Sequence, residues 1–304
     1  MPALDGVLVV DMTRYLPGAF ASTELMRLGA RVVRLEPLDG DPMRAATPDW
    51  HDALNAGKES VACDLKAEPE LGRALCRRAD VVLDSFRPGV VERLGLEPGP
   101  TTVWCSITGF GVGNRHELRA GHDLNYLGWA GVLEATAPAL PPVTVADFTG
   151  AFAAVREVLA ALLERGQTGR GGRIVVSMTH ESQRLAVPPV LTGAAACYRI
   201  YETADGRWLT VGALEPKFWR RLCELVGLPE LADRAFEPRV PELELRLRER
   251  TLAEWLELFE DEDVCAGPVA TRSEAAADLG SPAVGGRAPR LGEHTDLWRR
   301  ELVP

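Results

Sequence analysis

The apolar positions along the first third of the chain keep changing period. Residues 6–13, GVLVVDMT, form a short apolar run closed by polar residues. GAFASTELMRLGA then spaces Phe20, Leu25, Met26 and Leu28 at helical intervals, and RVVRLEP is a second short run. Strand, helix, strand in that order predicts a parallel pair, because a helix is the usual right-handed crossover. The rhythm continues: SVACDL reads as a strand, PELGRALCRRA as a helix, DVVLDSF as a strand, and TVWCSITGFG as a strand running into a glycine-rich turn. The expected fold class is α/β, with a Rossmann-like large domain built on a parallel sheet.

From Asp147, DFTGAFAAVREVLAALLERGQTG is the longest helical pattern. Phe152, Val155, Val158, Leu159, Leu162 and Leu163 make its apolar face, and GQTGRGG ends it. GRIVVSM is a further strand. YETADGRWLTVGAL predicts a β-hairpin around Asp205-Gly206. The chain then turns helical and highly charged through ELELRLRERTLAEWLELFEDED, where Leu243, Leu245, Leu247, Leu252, Trp255, Leu256 and Phe259 supply an apolar side. A large domain over residues 1–190 and a smaller α+β domain over 195–279 are expected. The segment from about 280 to 304 should pack back on the first domain, and the last thirty residues read as irregular surface chain.

Composition narrows the function. The 304 residues are 46% hydrophobic and 26% charged, as in ordinary soluble domains. A formal net charge of −10 argues against nucleic-acid binding, which needs Lys and Arg against phosphates, so any polyanionic ligand requires a locally basic cleft. Cys63, Cys76, Cys105, Cys197, Cys223 and Cys265 form no CxxC pair and suggest neither a metal site nor a disulfide framework. No stretch approaches the roughly 18 apolar residues that span a bilayer, and MPALDGVLVVDMTRYLPG lacks the pattern of a signal peptide, so no membrane association and a cytoplasmic location are expected. After the first strand, LPGAFA carries a single glycine where a dinucleotide fingerprint would have three, which disfavours a nicotinamide or flavin cofactor.

The most suggestive short stretch is GHDLNYL, residues 121–127. Four of the five histidines, His51, His116, His180 and His294, sit in polar, loop-like surroundings; His122 is flanked by Asp123 and Asn125. Such a histidine is either a buried hydrogen-bonding group or an acid/base group. Asp147 stands where a proline-rich loop hands over to the long helix, placed to cap it or to project from its first turn. Glu215 precedes a proline suited to a first helical turn, and spacing alone does not bring it to His122. Arg34 and Arg87 lie at or just beyond strand ends, where open α/β sheets bind ligands, with Arg31, Lys58 and Arg93 as further cations.

Taken in order, GVLVVDMTRYLPGAFASTELMRLGARVVRLEP, NAGKESVACDLK, ADVVLDSFRPGVVERLGL, CSITGFG, AGHDLNYL, ERGQTGRGGRIVVSM, VCAGPV and APRLGEHTDLW resemble the class III CoA-transferase family over nearly the whole chain. GHDLNYL, VADFTG and YETADGRWLTVGALEPKFW resemble its α-methylacyl-CoA racemase branch in particular. The resemblance implies an interlocked homodimer and an acyl-CoA thioester as substrate, with no metal or redox cofactor. It implies His122 and Asp147 as the acid/base pair, Glu215 as the support of the histidine, and Arg34, Lys58, Arg87, Asp123 and Tyr126 as substrate or CoA contacts. Enolate stabilisation is then expected from N–H groups of the helix near Asp147, each worth roughly 3 kcal/mol. The rival readings are a CoA-transferase with Asp147 as nucleophile and an inactive acyl-CoA-binding homologue. Ala56 stands where the family usually has arginine, and His180 and Thr192 where it has aspartates.

Overall fold

A computed structural model describes residues 1–280 and 286–302; residues 281–285, 303 and 304 of the expected C-terminal segment lie outside the described residues. The chain divides into two compact units, one of residues 1–186 with the C-terminal return and one of residues 187–283.

The first unit runs β1 (Leu8–Met12), α1 (Tyr15–Arg27), β2 (Arg31–Glu36), α2 (Met43–Ala46), α3 (Pro48–Asn55), β3 (Glu59–Ala62), α4 (Pro69–Arg78), β4 (Val81–Asp84), α5 (Val90–Arg93), β5 (Val103–Thr108), α6 (Asp123–Trp129), α7 (Val145–Thr168), β6 (Gly172–Ser177) and α8 (Met178–Gln183). Its six strands pair in the order β3-β2-β1-β4-β5-β6, every neighbouring pair parallel. All five residues of β1 and all four of β4 are buried. Helices cover both faces, which is why these strands are continuous apolar runs rather than alternating ones. α1 and α7 cover one face and α4 the other. Strand order reverses at β1, so the loops after β1 and β4 flank the crevice in which such sheets bind ligands.

α7 begins two residues before Asp147, which therefore projects from the first turn. The expected apolar face is buried only in part: Val158 is in the core and Val155, Leu159 and Leu162 pack against it. Ala146, Gly150, Ala151, Ala153, Ala154 and Val158 are buried, whereas Phe152 is 55% and Leu163 70% exposed. Small residues let the helix lie close against α1 and the sheet; Phe152 and Leu163 are left on the outer side.

The C-terminal return corrects a second expectation. Its last residues are helical rather than irregular, α13 (Thr295–Leu302), and Trp298 is 1% exposed. The Trp298 indole N–H donates to Glu59 at 2.7 Å, the Arg31 guanidinium lies 4.5 Å over its ring, and Ser60 N–H donates to His294 at 3.2 Å. A single anchoring aromatic and contacts to β3 stabilise a segment too short to be helical on its own.

The second unit contains β7 (Tyr198–Glu202), β8 (Trp208–Gly212), α9 (Pro216–Leu225), α10 (Pro241–Leu247), α11 (Leu252–Phe259), β9 (Ala266–Pro268) and α12 (Arg272–Leu279), with the antiparallel order β7-β8-β9. β7 and β8 form the expected hairpin. The charged stretch is two helices, since Thr251 caps α11 by accepting the Glu254 N–H. Leu243 and Leu247 are buried together, but Leu245 is exposed, because residues two apart cannot share a helix face. No helix among the described residues is long and apolar enough to cross a membrane.

Candidate active site

Among the described residues of the first unit, two cavities lie at the carboxyl ends of its strands. One, of about 460 Å³, lies beside β2 and is lined by Thr13, Arg14, Arg34, Leu38, Lys66 and Phe86 among others. The other, of about 360 Å³, is lined by Tyr15, Arg87, Arg119, His122, Tyr126 and Asp147 among others. Arg14 and Phe86 line both, so the two cavities meet at the loops following β1 and β4.

His122 and Asp147 thus face the same space. His122 precedes α6, its N–H donating to Asn125 Oδ1 at 3.0 Å; its ring is exposed and meets Tyr15 edge-on at 5.5 Å. Tyr15 holds φ +64°, a left-handed conformation unusual for a tyrosine, and its N–H donates to Asp41 at 3.1 Å. Asp147 is half-buried. Burial pushes its carboxyl up to about 7, with the neighbouring Asp123 charge adding to the rise. At an ordinary aspartate value only roughly one carboxyl in a thousand would hold a proton at pH 7; near 7 both forms are abundant, as an acid/base group requires.

Asp123 and Tyr126, the expected substrate contacts, each make a hydrogen bond within the protein. Asp123 accepts the Asp147 N–H at 3.0 Å. Tyr126 lines the cavity with its ring, but its hydroxyl donates to the Gly121 carbonyl, and burial pushes it up to about 12. Of the α7 N–H groups expected to stabilise an oxyanion, that of Asp147 is therefore already used by Asp123. The N–H groups of Asp123 and Leu124, opening α6, have no protein acceptor among the described residues.

The cations also divide differently. Arg34 is 1% exposed and donates to Asp41 at 2.8 Å, Asn55 at 3.1 Å, the Thr13 carbonyl at 3.2 Å and Asp11 at 3.4 Å. Lys58 is 3% exposed and donates to the Ala19 carbonyl and Ser22 at 2.8 Å and to Asn55 at 3.0 Å, which uses its three ammonium hydrogens. Burial pushes its ammonium well below the usual lysine range. Lys58 and Arg34 brace the strand ends from inside, and Arg34 also lines the cavity beside β2, with its Nε unpartnered. His51 likewise is buried rather than loop-like, with Nε2 unpartnered.

Arg87 is exposed, as the sequence reading requires, and among the described residues its side chain has no acceptor. So is Arg14, which the sequence reading missed although it follows β1 directly in DMTRYLPG; its N–H donates to Ser85 Oγ at 3.0 Å. The β4 loop carrying Arg87 is organised by buried Asp84, which accepts from Trp104 and Ser106, each at 2.6 Å, and from the Phe86 N–H at 2.9 Å. Arg119, also missed, lines the second cavity and lies 5.3 Å from the Trp129 ring.

Glu215 belongs to the second unit. It precedes α9 in extended conformation, exposed and outside any ion pair among the described residues.

With this geometry in place, the chain was compared with known proteins. The sequence pattern of the CoA-transferase family III matches residues 4–286. The chain belongs to this family. It is 33% identical to the human (Homo sapiens) α-methylacyl-CoA racemase over 90% of this chain and 79% of that protein. It is 30% identical to an acetyl-CoA:oxalate CoA-transferase of Acetobacter aceti over 90% and 82%. The solved structure of a CAIB/BAIF family protein from Brucella suis superposes with a TM-score of 0.83 at 26% identity, covering 99% of each chain. This family III chain therefore has racemases and transferases among its relatives.

Proposed function

We propose that this family III protein epimerises the α-carbon of 2-methylacyl-CoA thioesters. The observation carrying the reading is that His122 and Asp147 line one cavity while the Asp147 carboxyl is held up to about 7. The α-proton beside a thioester is weakly acidic, and inversion requires its removal on one face and a proton's return on the other. Neutral His122 takes the proton from one epimer, leaving charge on the thioester oxygen; protonated Asp147 donates from the opposite side. The reverse direction exchanges the roles. The unused N–H groups opening α6 are the proposed donors to the enolate oxygen, in place of those of α7. CoA's phosphates are assigned to Arg14 and Arg87, the cations with free donors where the two cavities meet. Support of His122 by Glu215, and a working homodimer, rest on the family resemblance.

In deuterated water an (R)-2-methylacyl-CoA should gain α-deuterium and become a mixture of epimers without an added acid. Acyl exchange that requires a second carboxylic acid, with no α-deuterium, would instead establish the second reading. The transferase relatives favour that one: Asp147 would attack the thioester, forming an acyl-aspartyl anhydride and releasing CoA thiolate.

A further inference from the structure

The Asp123 side chain neither lines the cavity nor pairs with a cation among the described residues, yet it bridges two helix starts. We propose that Asp123 is a positioning residue: by accepting the N–H group of Asp147, its carboxylate fastens the first turn of α7 to the first turn of α6. It thereby fixes the Asp147 carboxyl relative to the adjacent His122 imidazole, both of which line one cavity.

Three features support this. Thr144, which precedes α7, makes no side-chain cap, and its buried hydroxyl has no partner, so Asp123 does the capping from another element. The fastening is local to the chemistry, because His122 immediately precedes Asp123 and Asp147 is the residue whose N–H is held. An ionised carboxylate next to Asp147 also opposes its ionisation, the same direction as burial.

Other groups face Asp147 as well. From α6 and the loop before it come Tyr126, His122, Arg119 and Glu117; from the β1 loop come Arg14 and Tyr15, and from the β4 loop Arg87. Among the described residues none of these groups bonds the Asp147 N–H, which donates to Asp123.

The proposal rests on the acid/base reading for its catalytic meaning, but its test does not need turnover. In the full chain, 13C NMR of labelled aspartates, with Asp147→Asn used for assignment, reads the Asp147 titration directly. Asp123→Asn keeps an amide oxygen as acceptor and removes the charge. The expected result is a folded protein in which Asp147 titrates at least about one pH unit lower. In Asp123→Ala, kcat for α-proton exchange should fall more than about tenfold, with KM for acyl-CoA changing less than about twofold.

An Asp147 midpoint unmoved in Asp123→Asn overturns the proposal. So does a fivefold or larger rise in KM in Asp123→Ala, which would make Asp123 a substrate contact. Should Asp123→Ala not fold, the Asp123→Asn titration decides alone. A parent enzyme without α-proton exchange defeats the proposed function and leaves the titration to decide the role of Asp123.

Discussion

The Asp147 N–H donates to the Asp123 carboxylate across 3.0 Å, joining two acids 24 residues apart at the starts of two helices. The contact commits a main-chain donor of α7 and sets a negative charge beside a half-buried carboxyl. The arrangement costs stability at neutral pH, as acid/base sites commonly do.

That cost has a definite sign. In the folded chain Asp147 keeps its proton up to about 7; in the unfolded chain it loses it near 4. Between those values the folded state binds more protons, so this group's contribution to stability declines as pH rises from about 4 to 7 and is level outside that window. Asp147→Asn should gain on the parent through the same window and be the more stable protein at pH 8, as measured by urea unfolding at pH 5 and 8. Equal pH dependence in both proteins would contradict the raised carboxyl.

Substitution of either candidate acid/base group removes one face of the reaction. His122→Ala and Asp147→Asn should each lower epimerisation by about 10²- to 10⁴-fold while acyl-CoA still binds. The check is the rate of epimer interconversion alongside the Kd for a CoA ester. Retention of epimerisation within threefold by either variant would remove that residue from the chemistry.

Arg14→Ala and Arg87→Ala should each raise KM for acyl-CoA about five- to tenfold, in line with the loss of one charge-assisted hydrogen bond. Since both side chains are exposed, the parent's KM should rise with ionic strength, and less steeply in either variant. Steady-state kinetics at two salt concentrations measures this, and an unchanged KM would assign the phosphates elsewhere.

Arg34 behaves oppositely. Its removal leaves Asp11 and Asp41 buried without their cation, so Arg34→Ala should cost about 3–5 kcal/mol of folding stability. Arg87→Ala, at an exposed site, should stay within about 0.5 kcal/mol of the parent. Denaturant titration of the two variants compares the roles, and a neutral Arg34→Ala would show that the buried network is dispensable.

Much of the architecture is readable along the chain. The parallel order follows from apolar runs alternating with helical periods, since β1 and β4 are buried on both faces and are apolar at every position but one, Asp11 and Asp84 respectively. The identity of the candidate pair is legible through GHDLNYL and VADFTG. The environment that sets Asp147 to work is not, because it depends on a carboxylate that becomes a neighbour only when α6 and α7 pack. Hydrophobicity misleads in α7, where Phe152 and Leu163 are outermost and alanines innermost, because close packing against α1 selects for size. At the C-terminus, one Trp298 side chain overrides a Gly-, Pro- and Arg-rich composition.

The sequence by itself determined the fold class, the family and the residue types at the candidate site, because periodicity and short motifs are local properties of the chain. Tertiary structure decided which charges are free to act. Arg34 and Lys58 look like ligand-binding cations until Asp11, Asp41, Ser22 and Asn55 close around them. Arg14 becomes a candidate only because the loops after β1 and β4 meet beside two cavities. Asp147 is an ordinary aspartate until burial and Asp123 raise its carboxyl. Charge is written in the residue, whereas desolvation and partnership come from residues distant along the chain.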